Sequence, residues 1–405
     1  MPVSVAAALL MVALAAPAAA RGLFPIETAT SDGNFTIQLR GRAQVDMGWV
    51  GDSEDATSDG TPSGARFGTQ HDIEVRSVQF GVQGHIYDRI FYKAGGIRAG
   101  GRTKFTDTFV ETRLGAFELT LGHFREAVSM DEETGSPNVN MLERAAFTDA
   151  WDYRRRLGVG LDLVTRSFVL ETAVQTDNIS QHKAERDRLA LSARAIFLPI
   201  AEKDRMVHLA AYAMERRRDR DLGPPIVHYS VRSVIHPIDQ RFVDTGDIPA
   251  KGDHIYGLEL AGLAGPLNAT AEAAFLKVDP LTPGGPSPDF KGGYVEIGYF
   301  LTGESRPYEA RQWGHVKPAR PLDQGGAGAV EVLARIDSLD LEDRAEAIRG
   351  GRQTEYILGL NWYPIDHVRL MANAAIVDVT DSPAFRNAVG KDRLEILGLR
   401  GQINW

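Results

Sequence analysis

The side chains in this sequence best suited to binding chemistry are arginines set at alternate positions. Arg40 and Arg42 lie in FTIQLRGRAQVDMGW (35–49), Arg194 in LALSARAIF (189–197), and Arg369 and Arg400 in two late apolar segments. Arg335 follows by the pattern of its own segment, and Arg154, Arg155 and Arg156 open another. A run of such cations along one wall raises the local concentration of anions. Each could also be a wall residue paired to a carboxylate such as Glu171, Glu331 or Asp162. Between two of these segments lies GHFREAVSMDEETGSPNVNMLER (122–144), with Arg125 and Arg144 near its ends, Asp131, Glu132 and Glu133 in its middle, and Glu143 in the closing MLER.

Catalytic and metal signatures are weak. Gly51-Asp52-Ser53 is only the start of a hydrolase-type motif, in an acidic loop. Asp52, Glu54, Asp55 and Asp59 lack EF-hand spacing, the ten histidines form no H-E-x-x-H, and the chain has no cysteine. No enzyme activity, cofactor or metal site is therefore expected. A net charge of −9 argues against nucleic acid as a partner.

The elements that must position these arginines alternate with period two. In 35–49, Phe35, Ile37, Leu39, Ala43, Val45 and Met47 share one parity; Gln38, Arg40, Arg42, Gln44 and Asp46 share the other. Successive strand side chains point to opposite faces, so each such segment has one apolar and one charged face. Leu189, Leu191, Ala193, Ala195 and Phe197 repeat the pattern opposite Ser192 and Arg194, as do Leu397, Leu399, Ile403 and Trp405 opposite Arg400, Gln402 and Asn404. Segments of about ten residues are the length at which a strand crosses a bilayer.

Residues 1–20, uncharged and ending Ala18-Ala19-Ala20, read as a secretory leader, 21–33 as a short periplasmic segment, and 34–405 as a transmembrane antiparallel β-barrel. Very short turns (85–92, 263–272, 361–370) contrast with long polar ones (51–70, 125–150, 216–225, 280–291), the asymmetry of outer-membrane barrels. Tyr87, Phe91, Tyr92, Trp362, Tyr363 and Trp405 fall at strand ends, where an aromatic girdle is expected. Seventeen segments alternate. Placing VHYSVRSVIHP (227–237) in an outer loop leaves about sixteen strands and makes 305–327 a long periplasmic connection.

The stretches EVRSVQFGVQG (74–84), LTLGHFREAVSMDEETGSPNVNMLER (119–144), RRLGVGL (155–161), HIYGLELAG (254–262), YFLTGESRPYE (299–309), ARIDSLDLED (334–343) and LGLNWYPIDHVRLMAN (358–373) occur in the right order. In these the chain resembles the phosphate-selective porins O and P of bacterial outer membranes. The resemblance implies a sixteen-stranded barrel, usually a homotrimer, in outer-membrane lipid and lipopolysaccharide. It also implies a third loop folded into the lumen and arginines leading small inorganic anions, or polar solutes, to a constriction. The pore-lining candidates are then Arg40, Arg42, Arg125, Arg144, Arg155, Arg156, Arg194, Arg232, Arg335, Arg369 and Arg400, with Asp131, Glu132, Glu133 and Glu143 as acids of the constriction loop.

Three departures from the family pattern imply weakened anion specificity. Pro137 stands where the loop commonly has lysine, Ser77 and Gln79 replace lumen arginines, and 227–237 keeps only Arg232. The alternatives are a plugged structural barrel, closed by the 125–150 loop and the 305–327 connection, and an outer-membrane hydrolase.

Overall fold

The structure of the protein, a computed structural model, describes residues 27–51, 54–56, 69–99, 101–179, 187–218, 224–232, 234–309, 311–384 and 391–405. The expected leader (1–20), Asp52, Ser53 and Asp59 lie outside these. Sixteen long strands succeed one another: β1 (Thr36–Val50), β2 (Gln70–Ile86), β3 (Ile90–Ala99), β4 (Arg102–Leu114), β5 (Phe117–Arg125), β6 (Arg155–Val164), β7 (Phe168–Gln175), β8 (Asp187–Glu202), β9 (Arg205–Arg218), β10 (Arg241–Ala264), β11 (Leu267–Pro280), β12 (Asp289–Phe300), β13 (Ala329–Asp343), β14 (Ile348–Ile365), β15 (Val368–Thr380) and β16 (Lys391–Asn404). Each pairs antiparallel with the next, and β1 pairs with β16 from Arg42–Asn404 to Val50–Ile396, so the sheet closes. In hydrocarbon no water can satisfy an open edge, and closure is what allows a sheet to span a membrane.

Alternation assigns the faces. Leu258 and Leu260 in β10, Val295 and Ile297 in β12, and Tyr356 and Leu358 in β14 are exposed, while Glu259, Glu296 and Ile357 between them are buried. Turns of two or three residues make most of the links at the end that carries the C-terminus. Gly115 and Gly265 open the two-residue turns 115–116 and 265–266 at φ 67° and 57°, a left-handed conformation that a side chain disfavours and that suits the twist of a tight hairpin. At the same end Trp405 exchanges backbone hydrogen bonds with Gly41, and its indole lies where a Cβ on Gly41 would come within 2.1 Å.

The segment 226–232 is a strand outside the barrel ladder. It forms a hairpin with the outer part of β10, from Ile226–Pro249 to Arg232–Arg241. The connection 301–328 is the one long link at the end of the short turns. Of the expected girdle aromatics, Tyr87 is exposed, but Tyr363 is buried within the lumen face, its ring 5.0 Å beneath the Arg369 guanidinium. Strand parity is the reason: Trp362 and Tyr363 are consecutive, so only one can face outward.

Depth on the outward face sets the cost of a charge there. Leu258 lies opposite Ala211 and Ala273 in the middle of its strand, whereas Leu191 lies opposite Glu215 near the outer rim. Leu258→Arg is expected to cost about 2–4 kcal/mol and Leu191→Arg about 0–1 kcal/mol. Urea unfolding from lipid vesicles measures both, and equal costs would contradict this placement in the membrane.

Candidate functional site

The third outer loop, 126–154, runs from β5 to β6 through the inside of the sheet. Its entry is pinned by Glu126, whose carboxylate pairs with Arg156 and accepts Arg154 N–H at 3.0 Å. Ser129 then caps a single helical turn, α1 (Met130–Glu133), its hydroxyl accepting Glu132 N–H at 3.2 Å. A second short helix, α2 (Ala146–Ala150), precedes β6. Between and around them the loop's backbone is bonded to the wall. Ala127 N–H donates to Ser192 on β8, Asp131 N–H to Glu272 on β11, Leu142 N–H to Asn373 on β15, and Ala146 N–H to Asp337 on β13, all at 2.8–3.1 Å. Arg369 donates to the carbonyls of Pro137, Val139 and Asn140 at 3.0, 2.8 and 3.1 Å. A buried carbonyl left unpaired costs about 1–3 kcal/mol, so one guanidinium spanning three of them fixes the loop's path.

Apolar residues finish the job. Val128, Phe147 and Trp151 have no exposed surface and join one core with Met141, Leu142 and the hairpin residues Val227, Tyr229 and Val231. Packed side chains of the loop and the hairpin therefore fill the outer part of the lumen. Hydrophobic residues of two loops meet there and exclude solvent.

The expected arginines fall into three groups. Arg194, Arg335 and Arg400 are buried posts. Arg194 is bidentate on Glu259 at 2.8–2.9 Å and reaches Glu171 at 2.9 Å; Arg335 holds Glu296 at 2.6 Å; Arg400 is bidentate on Asp46 at 2.6–2.7 Å and touches Glu143 at 3.0 Å. Arg156 and Arg369 belong with them as anchors of the loop. Arg232 lies in the outer hairpin, paired with Asp239 at 2.5 Å, away from the constriction. Arg40, Arg42, Arg125 and Arg155 line a cavity of about 750 Å³ beneath the loop, on the side of β1 to β7. Arg42 donates to Ser136 at 2.5 Å, and Arg155 pairs with Asp107.

The loop acids divide as well. Asp131 is buried, its carboxylate accepting Ala145 N–H at 3.0 Å. Glu132 ties Arg125 and Arg144 to the loop at 3.5 and 3.3 Å. Glu133 faces the cavity. Burial pushes its carboxyl up to about 8, Arg125 opposing and Glu171 adding to the rise.

Sequence reasoning missed Arg76, which pairs with Glu143 at 3.1 Å. Pairing of β1 with β2 slips between Gln44–Ser77 and Asp46–Glu74, a bulge that turns Arg76 and Ser77 both inward. Simple alternation puts them on opposite faces. It also missed Arg306 and Arg311, on the 301–328 connection. Arg306 donates to Asn138 O at 2.8 Å and lies over Trp313 at 4.4 Å; Gln312 accepts Gly135 N–H at 3.0 Å. Arg311 reaches Glu171, Glu118 and Asp162 at 2.8, 3.3 and 3.6 Å. The unusual length of that connection was the available signal.

Residues 37–405 match the family model of the phosphate-selective porins O and P. The chain belongs to this family. It is 31% identical over 386 residues to an uncharacterised protein of Caulobacter vibrioides, spanning 93% of this chain and 75% of that one. It is 24% identical over 375 residues to porin O of Pseudomonas aeruginosa, 86% and 84% of the two chains. Among solved structures the fold is similar to an anion-selective porin from Comamonas acidovorans, with a TM-score of 0.54 at 9% identity over 92% of this chain and all of that one. The protein is an outer-membrane porin of the bacterial envelope.

In this porin Glu143 couples the loop to two strands. Burial pushes its carboxyl up, but Arg76 and Arg400 outweigh that and hold it at about 2. A carboxyl depressed in the folded state stabilises above its unfolded value near 4.5, and that contribution is lost as pH falls toward 2. Unit conductance is therefore expected to be steady from neutral pH to about 4.5 and to become noisy below it as the loop loosens. Glu143→Gln should show that noise at neutral pH; quiet traces from this variant would contradict the role given to Glu143.

Proposed function

We propose that this porin passes small hydrophilic solutes and ions by passive diffusion with at most a modest preference for anions, and that it works as a homotrimer like the family it belongs to. The observation that carries the selectivity reading is the mixed lining of the cavity. Arg40, Arg42, Arg125 and Arg155 share it with Asp107, Glu111, Asp162 and Glu171. A phosphate site would need several cations free of carboxylates, because a channel's selectivity follows the charged groups at its constriction. Here Arg125 and Arg155 already have carboxylate partners, and Ser77, Gln79 and Pro137 supply no charge.

A second reading draws on one contact. The third loop and the 301–328 connection are bonded to each other through Gly135–Gln312 and Asn138–Arg306, which favours a lumen that opens only when the two part. Single-channel conductance of Arg306→Ala against the native protein tests it. A large rise supports such a plug, and no change removes it.

Reversal potential in a salt gradient measures the preference directly. Pro137→Lys, whose position lines the cavity, and Gln79→Arg are each expected to shift it toward anions. Strong phosphate selectivity in the native channel would overturn this reading. Ionisation of Glu133 adds negative charge to the cavity, so anion preference should fall as pH rises through about 8. Glu133→Gln should abolish that pH step; a step that survives assigns the titration elsewhere.

A further inference from the structure

The unpaired cations of the cavity and most of its acids stand on different walls. Its lining on β1, β2 and β3 contains Arg40, Arg42 and Lys93 and no carboxylate; the rest is glutamine, glycine and small apolar residues. The inner parts of β4 to β7 carry Glu111, Glu118, Asp162 and Glu171. The cations Arg125 and Arg155 stand at the outer ends of β5 and β6, where Arg125 lies opposite Arg155 in the ladder, close under the loop. Below them the two walls differ in sign.

The ion pairs leave this difference in place. Lys93 is offset by Asp107 at 2.6 Å, but Arg40 has no carboxylate within 4 Å among the described residues, and Arg42 bonds only the Ser136 hydroxyl. On the other wall Glu111 makes no ion pair with a described residue. Glu118, Asp162 and Glu171 share Arg311 from the periplasmic connection, with Arg194 behind Glu171 and the exposed Arg113 at the rim beside Glu118. In a closed sheet β1 and β4 are three strands apart, about 14 Å along the wall at 4.8 Å per strand, and β7 lies further round. Charges of opposite sign on two walls of one cavity make a field across it, stronger than in bulk water because the walls are of low dielectric.

We infer that the cavity selects zwitterions, solutes with a separated ammonium and carboxylate such as short unblocked peptides, over simple anions of the same size. A lone anion is drawn to Arg40 and Arg42 and repelled by Glu111; a lone cation meets the reverse. A zwitterion turned along the field satisfies both walls. An extended tripeptide spans about 10 Å, and the long arginine and glutamate side chains reaching into the lumen cover the remainder. The inference rests on the porin reading above and names the solute class of that same channel.

Swelling of proteoliposomes carrying the full barrel compares triglycine with N-acetyl-triglycine, an anion, and triglycine amide, a cation. The expected order in the native protein is triglycine first by several-fold. Arg40→Gln should lower the triglycine rate and put the amide ahead of the acetylated peptide; Glu111→Gln should lower it and put the acetylated peptide ahead. Both residues border solvent in the cavity, and planar-bilayer insertion checks that each variant is folded. If the acetylated peptide is fastest in the native protein and Glu111→Gln leaves the order unchanged, the cavity is an ordinary anion path and the inference fails while the porin reading stands. If none of the three enters, the diffusion reading fails and takes the inference with it.

Discussion

Closure of β1 onto β16 is the constraint on which everything else depends. A sheet in hydrocarbon has no water for its edges, so each strand must find two neighbours. Sixteen strands enclose more room than their own side chains fill, and the inward parity must carry groups that tolerate an interior neither fully wet nor fully dry. The sequence places Arg194, Arg335, Arg369 and Arg400 there with Glu259, Glu296 and Asp46. Removing one partner of such a buried pair costs about 3–5 kcal/mol, because the other charge is left uncompensated. The lattice is thus a set of fixed posts.

Those posts give the third loop its path. Loops ordinarily stay at the surface because buried backbone polar groups must be paired. This loop escapes that rule by bonding its N–H and C=O groups to wall side chains: Asn373, Asp337 and Ser192 accept, and Arg369 donates. The same residues that could have served a passing anion are occupied by the loop instead. This accounts physically for a family member rich in lumen arginines whose free cationic surface is confined to β1 and the cavity beside it.

The connection 301–328 completes the arrangement from the periplasmic end. Arg311 joins three acids of the β5 to β7 wall, and Arg306 and Gln312 touch the loop from below. The outer half of the lumen is packed, and the inner half holds a cavity with walls of unlike charge. The two segments come from opposite ends of the barrel, and polar contacts hold each to the other.

Strand existence, strand parity and the number of barrel strands were legible in the sequence, because a two-sided environment writes itself as alternation of Leu191, Ser192, Ala193 and Arg194. So was the exclusion of 227–237 from the barrel ladder, through the even strand count. The inward parity of most candidate arginines was legible too. Their tasks were not. Whether an inward arginine meets solute, carboxylate or loop carbonyl depends on which of the long segments fills the space before it, and period-two alternation carries no information about that. Arg76 needed a bulge to turn inward, Tyr363 was hidden by its neighbour Trp362, and Arg311 came from a connection with no periodicity. The sequence by itself determined which side of the wall the side chains of regularly alternating strands occupy. The tertiary structure alone decided which charges remain free, since that is settled by contacts between residues more than a hundred positions apart, such as Arg369 with Pro137 and Arg400 with Asp46.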